Sequence, residues 1–470
     1  MEGERLAREL HAIVGHALGE PVVIEDLTRL PGGASKETWS FTARRSGGTL
    51  ERLVLRRDRA GSDGSGIPIE AALLGAAGRA GVPVPRVVAH GVASAGIGAA
   101  FIITEFVDGE TIPRRILRDE QLEGARAVLA EQCGRILAAV HRISATEVPG
   151  LAGGDPVEQL RRQLGQLGQA HPAFELGLLW LAQNRPAEMA HGVVHGDFRN
   201  GNLIVGTEGV RAVLDWELAH LGDPLEDLGW LCVKAWRFGS PLPVGGFGTI
   251  DALVTAYEGA GGGAVDRNAL HWWIVYGTLR WGIICIAQTL THVSGVVRSV
   301  ELAAIGRRVC EVESDLLELL PRTKVSPGTA AEPPAAVAVP GPSTRTPPVA
   351  GHPHDVPSAV QLLDAVGEFL ETDVLRATEG RVRYHVRVAA NVVAMVSREL
   401  ALGPEQAVAH AERLGALGVS SESELAAAIR SGALDDRLAE VSDVVRATVA
   451  DKLAVANPRY LATPAEPGEE

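Results

Sequence analysis

Cysteine is scarce: four thiols, Cys133, Cys232, Cys285 and Cys310, lie far apart in 470 residues, and no two form a Cys-x-x-Cys pair. That spacing argues against a disulfide framework or a cysteine-held zinc and predicts reduced thiols buried in cores. Positive charge is also short. Lys and Arg number 44 against 58 Asp and Glu, a formal net charge of −14. A nucleic-acid binder needs a basic face to displace counterions, and an anionic membrane surface attracts one, so neither partner is expected. The start, Met1-Glu2-Gly3-Glu4-Arg5, lacks the basic stretch and apolar run of a signal peptide. The most apolar stretch, Trp272 to Leu290, carries Arg280 at its middle. A central charge is costly in lipid, so a buried helix is expected rather than a membrane span. The expected location is cytoplasmic.

The chain is too long for one ordinary core, so two or three domains are expected. Residues 323–357 have no helical or strand period. Their runs Pro-Pro-Ala-Ala-Val-Ala-Val-Pro-Gly-Pro and Thr-Pro-Pro-Val-Ala-Gly-His-Pro predict an extended linker. Beyond it, residues 358–460 read as a small all-helical bundle. Leu362, Leu363, Val366, Phe369 and Leu370 recur at helical spacing, as do Val386, Ala389, Val393, Val396 and Leu400. Further helices are expected near 404–415, 422–431 and 434–454. Before the linker, strands come first (24–30, 38–44, 50–56, 99–107, with a helix over 69–80) and helices dominate after residue 110. This order predicts an α+β protein with two lobes, a β-rich lobe over 1–108 and a helical one over 109–322.

Chemistry concentrates in Val193-Val194-His195-Gly196-Asp197-Phe198-Arg199-Asn200-Gly201-Asn202-Leu203-Ile204-Val205 and, after Gly-Thr-Glu-Gly, Val210-Arg211-Ala212-Val213-Leu214-Asp215-Trp216-Glu217. The two apolar runs around that turn predict a β-hairpin. A hairpin brings its ends together, so Asn202 and Asp215 should lie side by side, where an amide oxygen and a carboxylate can share Mg²⁺. Asp197, on the approaching loop, can face the same pocket. A carboxylate that takes a hydroxyl proton beside a metal-holding Asn–Asp pair is what phosphoryl transfer needs. Arg199 can neutralise charge on the moving phosphoryl group. Glu217 is either a further metal ligand or a solvated loop carboxylate.

His195-Gly196-Asp197, Asn202 and Leu214-Asp215-Trp216-Glu217 resemble the aminoglycoside-phosphotransferase-like branch of the protein-kinase-like fold, over roughly residues 20–320. The resemblance implies Asp197 as catalytic base, Asn202 and Asp215 as metal ligands, a structural His195, and ATP as phosphate donor. Gly222-Asp223-Pro224-Leu225-Glu226-Asp227-Leu228-Gly229-Trp230 resembles it too. There Asp223 is a natural N-cap with Pro224 at the first helical position, and both Asp223 and Asp227 read as structural. On the nucleotide side, Gly32-Gly33-Ala34-Ser35 between two strands can cradle phosphates, or form a plain turn. Arg56 on its strand is expected to offer the phosphate cation, with Glu70 as partner. The family pattern has Lys at that place. Ile102 to Gly109 resembles the hinge, with the Glu105 carbonyl and Val107 amide on the adenine edge.

The acceptor is expected to be the hydroxyl of a small molecule bound in the helical lobe. Trp272, Trp273, Tyr276 and Trp281 read as core before site. Arg280 among them pairs either with an anionic substrate group or with an acidic residue of the lobe. The chain is most similar to kinase-like domains fused to, or found beside, acyl-CoA dehydrogenases, which implies a hydroxyacyl-CoA or hydroxy acid as acceptor and a partner in that pathway. An aminoglycoside acceptor, a nucleotide-binding pseudokinase and a protein kinase are the competing readings. The last lacks Asp-Phe-Gly and Ala-Pro-Glu segments. The C-terminal bundle resembles a small uncharacterised domain found with such kinases. His385 and Asn391 in it are either functional or hold register, and its apolar faces can serve an oligomer.

Overall fold

The computed structural model describes residues 2–30, 36–58, 64–92, 97–187, 189–321 and 357–461. Gly32 to Ser35 and nearly all of the predicted linker lie outside them. The elements in order are α1 (Glu2–Leu18), β1 (Val22–Leu30), β2 (Lys36–Arg45), β3 (Leu50–Asp58), α2 (Gly66–Arg79), β4 (Val87–Gly91) and β5 (Phe101–Glu105). Then come α3 (Pro113–Ile116), α4 (Glu123–Val140), α5 (Pro156–Leu167), α6 (Pro172–Gln183), β6 (Gly192–Val194), β7 (Leu203–Gly206), β8 (Gly209–Val213) and β9 (His220–Gly222). The rest is helical: α7 (Leu225–Cys232), α8 (Ile250–Gly259), α9 (Arg267–Val293), α10 (Val300–Arg307), α11 (Val309–Leu319), α12 (Ala359–Phe369), α13 (Gly380–Leu417), α14 (Glu422–Ser431), α15 (Leu438–Ala456) and α16 (Pro458–Leu461). The chain divides into two compact units, Met1–Gly154 with Pro186–Ile274, and Asp155–Arg185 with Val275–Glu470.

In the first unit, β1 to β5 form an antiparallel sheet in the order β1-β2-β3-β5-β4. Successive side chains in a strand point to opposite faces. Phe41 and Ala43 of β2, Leu53 and Leu55 of β3, and Phe101 and Ile103 of β5 are therefore buried together against Leu6, Leu10 and Val14, which recur every fourth residue of α1. Each Leu, Ile, Val or Phe among them contributes about 1.5–3 kcal/mol by leaving water. The same alternation turns Arg56 to the other face. There Thr38 stands directly opposite it across β2 and β3, which makes Lys36 its diagonal neighbour.

The helical part of this unit positions two short strand pairs, β6–β9 and the β7–β8 hairpin, whose register sets Leu203 opposite Val213. Gly229 of α7 lies against Trp273 of α9. A Cβ there would sit 2.7 Å from the Trp273 backbone, so only glycine allows the approach that seats Trp230 next to it.

In the second unit the helices beyond residue 357 share one core with α6 and α11: Leu414, Leu417, Leu425, Ile429, Val445 and Val449 pack with Ala173, Leu176 and Leu317. One expectation is corrected here. A further, separate helix is expected near 404–415, yet α13 is one helix that runs through Pro404. Proline removes one helical hydrogen bond, but Arg398 and Gln406 on either side donate to the carbonyls of Val455 and Asp451 on α15, which ties α13 to α15 across that point. Of the two apolar stripes read from the sequence, Leu362, Val366, Phe369, Val396 and Leu400 are exposed, while Val386 is buried.

All four cysteines are buried and unpaired, and burial raises every thiol pKa. Among the described residues no helix is long and apolar enough to cross a membrane.

Candidate active site

The loop from β6 to β7 carries Asp197, and its backbone is held from below by Asp227. The buried Asp227 carboxylate accepts the amides of His195 at 2.8 Å and Gly196 at 2.9 Å, and His141 Nε2 lies 3.1 Å away. Burial by itself would raise this carboxyl; the His141 bond and the amides outweigh it and hold its pKa below the usual range. Gly196 has φ +77°, and a Cβ on it would lie 2.3 Å from the Leu218 carbonyl oxygen. The turn that presents Asp197 therefore requires glycine.

His195 is fully buried and spends both ring nitrogens on backbone. Nδ1 accepts the Asp197 amide at 3.1 Å, so Nε2 carries the proton and donates to the Leu214 carbonyl at 3.0 Å. Burial keeps its pKa below the ordinary histidine value. The ring thus ties the loop of Asp197 to the strand end that precedes Asp215.

The Asp197 carboxylate is surrounded by donors. Oδ1 accepts Trp230 Nε1 at 2.9 Å and Arg199 Nε at 3.0 Å, and Oδ2 accepts Asn202 Nδ2 at 2.6 Å. The Asn202 amide also donates to the Asp197 carbonyl at 2.9 Å. With its NH₂ turned to Asp197, Asn202 keeps Oδ1 as an acceptor. Arg199 is stacked 4.6 Å from the Trp236 ring centroid.

Asp215 stands beside Asn202: the Leu214 amide donates to the Asn202 carbonyl at 2.8 Å. Its backbone is left-handed, at φ 60° and ψ 65°, a strained state that re-aims the chain as it leaves the hairpin. Asn202 Oδ1 and the Asp215 carboxylate are hard oxygen donors at adjacent strand ends. That set fits a divalent cation that draws its other ligands from phosphate and water. Among the described residues there is no cage of three or more His, Cys, Asp and Glu side chains.

Arg56 faces the same site. Its guanidinium donates to Glu70 Oε1 at 2.7 Å and to Asp215 Oδ1 at 2.5 Å. Burial would lower its pKa; Glu70, Asp215 and Glu217 more than compensate and raise it. Lys36, which sequence reasoning missed, donates to the other Glu70 oxygen at 2.6 Å and lies 3.3 Å from Glu217.

The remaining expected residues are placed as follows. Glu105 ends β5, opposite Leu53. The Glu105 amide is bonded to Arg86 O and the Phe106 amide to Arg52 O, and Val107 follows outside the sheet. Asp223 is buried and accepts the Leu225 amide at 2.8 Å, but α7 begins at Leu225, one residue later than expected, because Pro224 itself stands at the cap. Burial raises the Asp223 pKa. Arg280 lies half-buried on α9 within the second unit. Gly32, Gly33, Ala34 and Ser35 fall outside the described residues.

The chain is similar to known proteins. The family model described as "Phosphotransferase enzyme family" matches residues 26–272, more than half of the chain. The chain belongs to that family. A second model, a domain of unknown function (DUF6285), matches residues 376–460. Mouse acyl-CoA dehydrogenase family member 10 is 30% identical over 210 residues, 41% of this chain and 19% of that protein. The probable acyl-CoA dehydrogenase IBR3 of Arabidopsis thaliana is 31% identical over 215 residues, 40% of this chain and 25% of that protein. The chain thus spans a quarter or less of these relatives. A solved structure from Ralstonia eutropha JMP134, assigned as an aminoglycoside phosphotransferase, superposes with a TM-score of 0.53 at 25% identity, covering 67% of this chain and 97% of its own. This phosphotransferase therefore has the kinase-like fold expected from its sequence, with a helical C-terminal region added.

Proposed function

We propose that this phosphotransferase moves the γ-phosphate of ATP to a hydroxyl of a small molecule, with Asp197 as the base. The observation that carries the reading is the pair of hydrogen bonds from the Asn202 amide to Asp197. It orients the carboxylate and leaves Asn202 Oδ1 as an acceptor on the strand end that neighbours Asp215, where Mg²⁺ would be held. Bound there, the ion would neutralise phosphate charge.

The hydroxyl oxygen forms a new bond to the γ-phosphorus, and the bond from that phosphorus to the β–γ bridging oxygen breaks. The electron pair leaves with ADP, and the hydroxyl proton goes to Asp197. Trp230 and Arg199 on Oδ1 keep the carboxylate oriented until it takes that proton. Arg56 lies on the nucleotide side, suited to the donor phosphates. His195, Asp223 and Asp227 hold backbone and take no part in the chemistry.

For the acceptor, the likeness to acyl-CoA dehydrogenase family members supports a hydroxyacyl-CoA or hydroxy acid. Phosphorylating its hydroxyl would create a leaving group. ADP release measured with hydroxyacyl-CoAs, free hydroxy acids and aminoglycosides tests this. Turnover with the first two is expected. Turnover with aminoglycosides alone would replace the acceptor, and nucleotide binding without turnover on any acceptor would favour a pseudokinase.

A further inference from the structure

We propose that Lys36 is a second phosphate-binding cation of this site, acting as a pair with Arg56 across the single carboxylate of Glu70, and that its ligand is the polyphosphate tail of a nucleotide. The inference rests on the phosphotransferase reading above.

The pairing follows from sheet register. Thr38 is opposite Arg56, so Lys36, two residues back on the same face of β2, reaches the same helix side chain that Arg56 reaches from β3. Glu70 divides its oxygens between them, Oε1 to Arg56 and Oε2 to Lys36. Glu70 is 2% exposed and the Lys36 side chain 10%, whereas Asp215, on the far side of Arg56, is 44% exposed. The charges thus run from a closed end at Glu70 to an open end at Asp215 and Glu217.

Neutralising Glu70 does not account for Lys36. Arg56 already pairs with it, and Lys36 reaches past Glu70 to Glu217 at the open end of the row. An ammonium has three N–H donors; a bond to Glu70 and an ion pair with Glu217 leave a third. The local charge gives the same answer. Lys36 and Arg56 face Glu70, Asp215 and Glu217, while Asp197 is matched by Arg199. A divalent ion held at Asp215 would add positive charge to this row, which suits a polyphosphate. The arrangement also makes sense of Arg at position 56. Its planar fork spans Glu70 and Asp215 in fixed directions on the nucleotide side, and the compact ammonium of Lys36 beside it can swing onto a phosphate oxygen.

The test is calorimetric titration of the full chain with ADP, a non-hydrolysable ATP analogue and adenosine, each with Mg²⁺, for the wild type, Lys36→Met, Lys36→Arg and the double variant Lys36→Met/Glu70→Gln. Lys36→Met is expected to weaken ADP and the ATP analogue about ten- to a hundredfold and to leave adenosine unchanged, with Lys36→Arg restoring most of the loss. The double variant should stay weak. If Lys36→Met does not fold, Lys36→Gln, which keeps a donor for Glu70, takes its place with the same expectation. Unchanged polyphosphate affinity, an equal loss for adenosine, or recovery in the double variant would overturn the assignment, because each fits a counter-charge that merely aligns Glu70. A wild type that binds none of the three would overturn the underlying reading as well, whereas wild-type binding with an indifferent Lys36 overturns this inference alone.

Discussion

Asn202 and Asp197 are joined twice, by one side-chain amide that donates both to the carboxylate at 2.6 Å and to the backbone carbonyl at 2.9 Å. The contact locks the base and faces the amide oxygen the other way. Asn202→Ala removes both effects at once. Its expected signature is a raised Mg²⁺ requirement, by at least the 10- to 100-fold typical of lost metal-site support, with little change in overall stability. Metal titration of turnover checks it; an unchanged Mg²⁺ dependence would remove Asn202 from the metal site.

Asp227 is a structural counterpart to that pair. It is fully buried and satisfied by two amides and by His141, which in turn lies 2.9 Å from the Tyr257 hydroxyl. Asp227→Ala leaves three donors without their acceptor. Breaking such a buried charged network costs about 3–5 kcal/mol. Urea unfolding should show this as a lower midpoint. A change below about 1 kcal/mol would mean that the loop is held by other contacts.

His195 gives a pH dependence of definite sign. Its folded pKa is depressed by burial, so the unfolded chain binds a proton that the folded chain refuses. The contribution to stability is present above the unfolded value of about 6.5 and is lost as pH falls below it toward the folded pKa. Urea midpoints measured from pH 8 to pH 5 should therefore fall, and less steeply in His195→Gln. Identical slopes would show that other groups dominate.

Asp197, Asn202 and Asp215 were legible because a hairpin is local: two apolar runs and a Gly-Thr-Glu-Gly turn fix which residues meet. The side chains that hold them were not. Trp230 reaches Asp197 from α7, Trp236 lies under Arg199, His141 reaches Asp227 from the end of α4, and Lys36 meets Glu70 across the sheet. Each depends on tertiary approach, with no local signal beyond the residue itself. Lys36 illustrates the limit: its face is set by strand register, which a single sequence does not give. The C-terminal helices mislead for a related reason. Leu362, Val366 and Phe369 have the period of a buried face but remain exposed, while the core forms around Leu425, Val445 and Val449 against α6 and α11. Periodicity identifies a helix and an apolar stripe; it does not say what the stripe packs against.

The claim that Asp197 is the base for phosphoryl transfer is tested most directly by single-turnover transfer from ATP, in the presence of Mg²⁺ and a hydroxyacyl-CoA, in the wild type and in Asp197→Asn. The account predicts ADP and a phosphate monoester in equal amounts from the wild type, a rate lower by about 10²–10⁴-fold in the variant, and the same nucleotide affinity in both. Transfer by Asp197→Asn at the wild-type rate would contradict it.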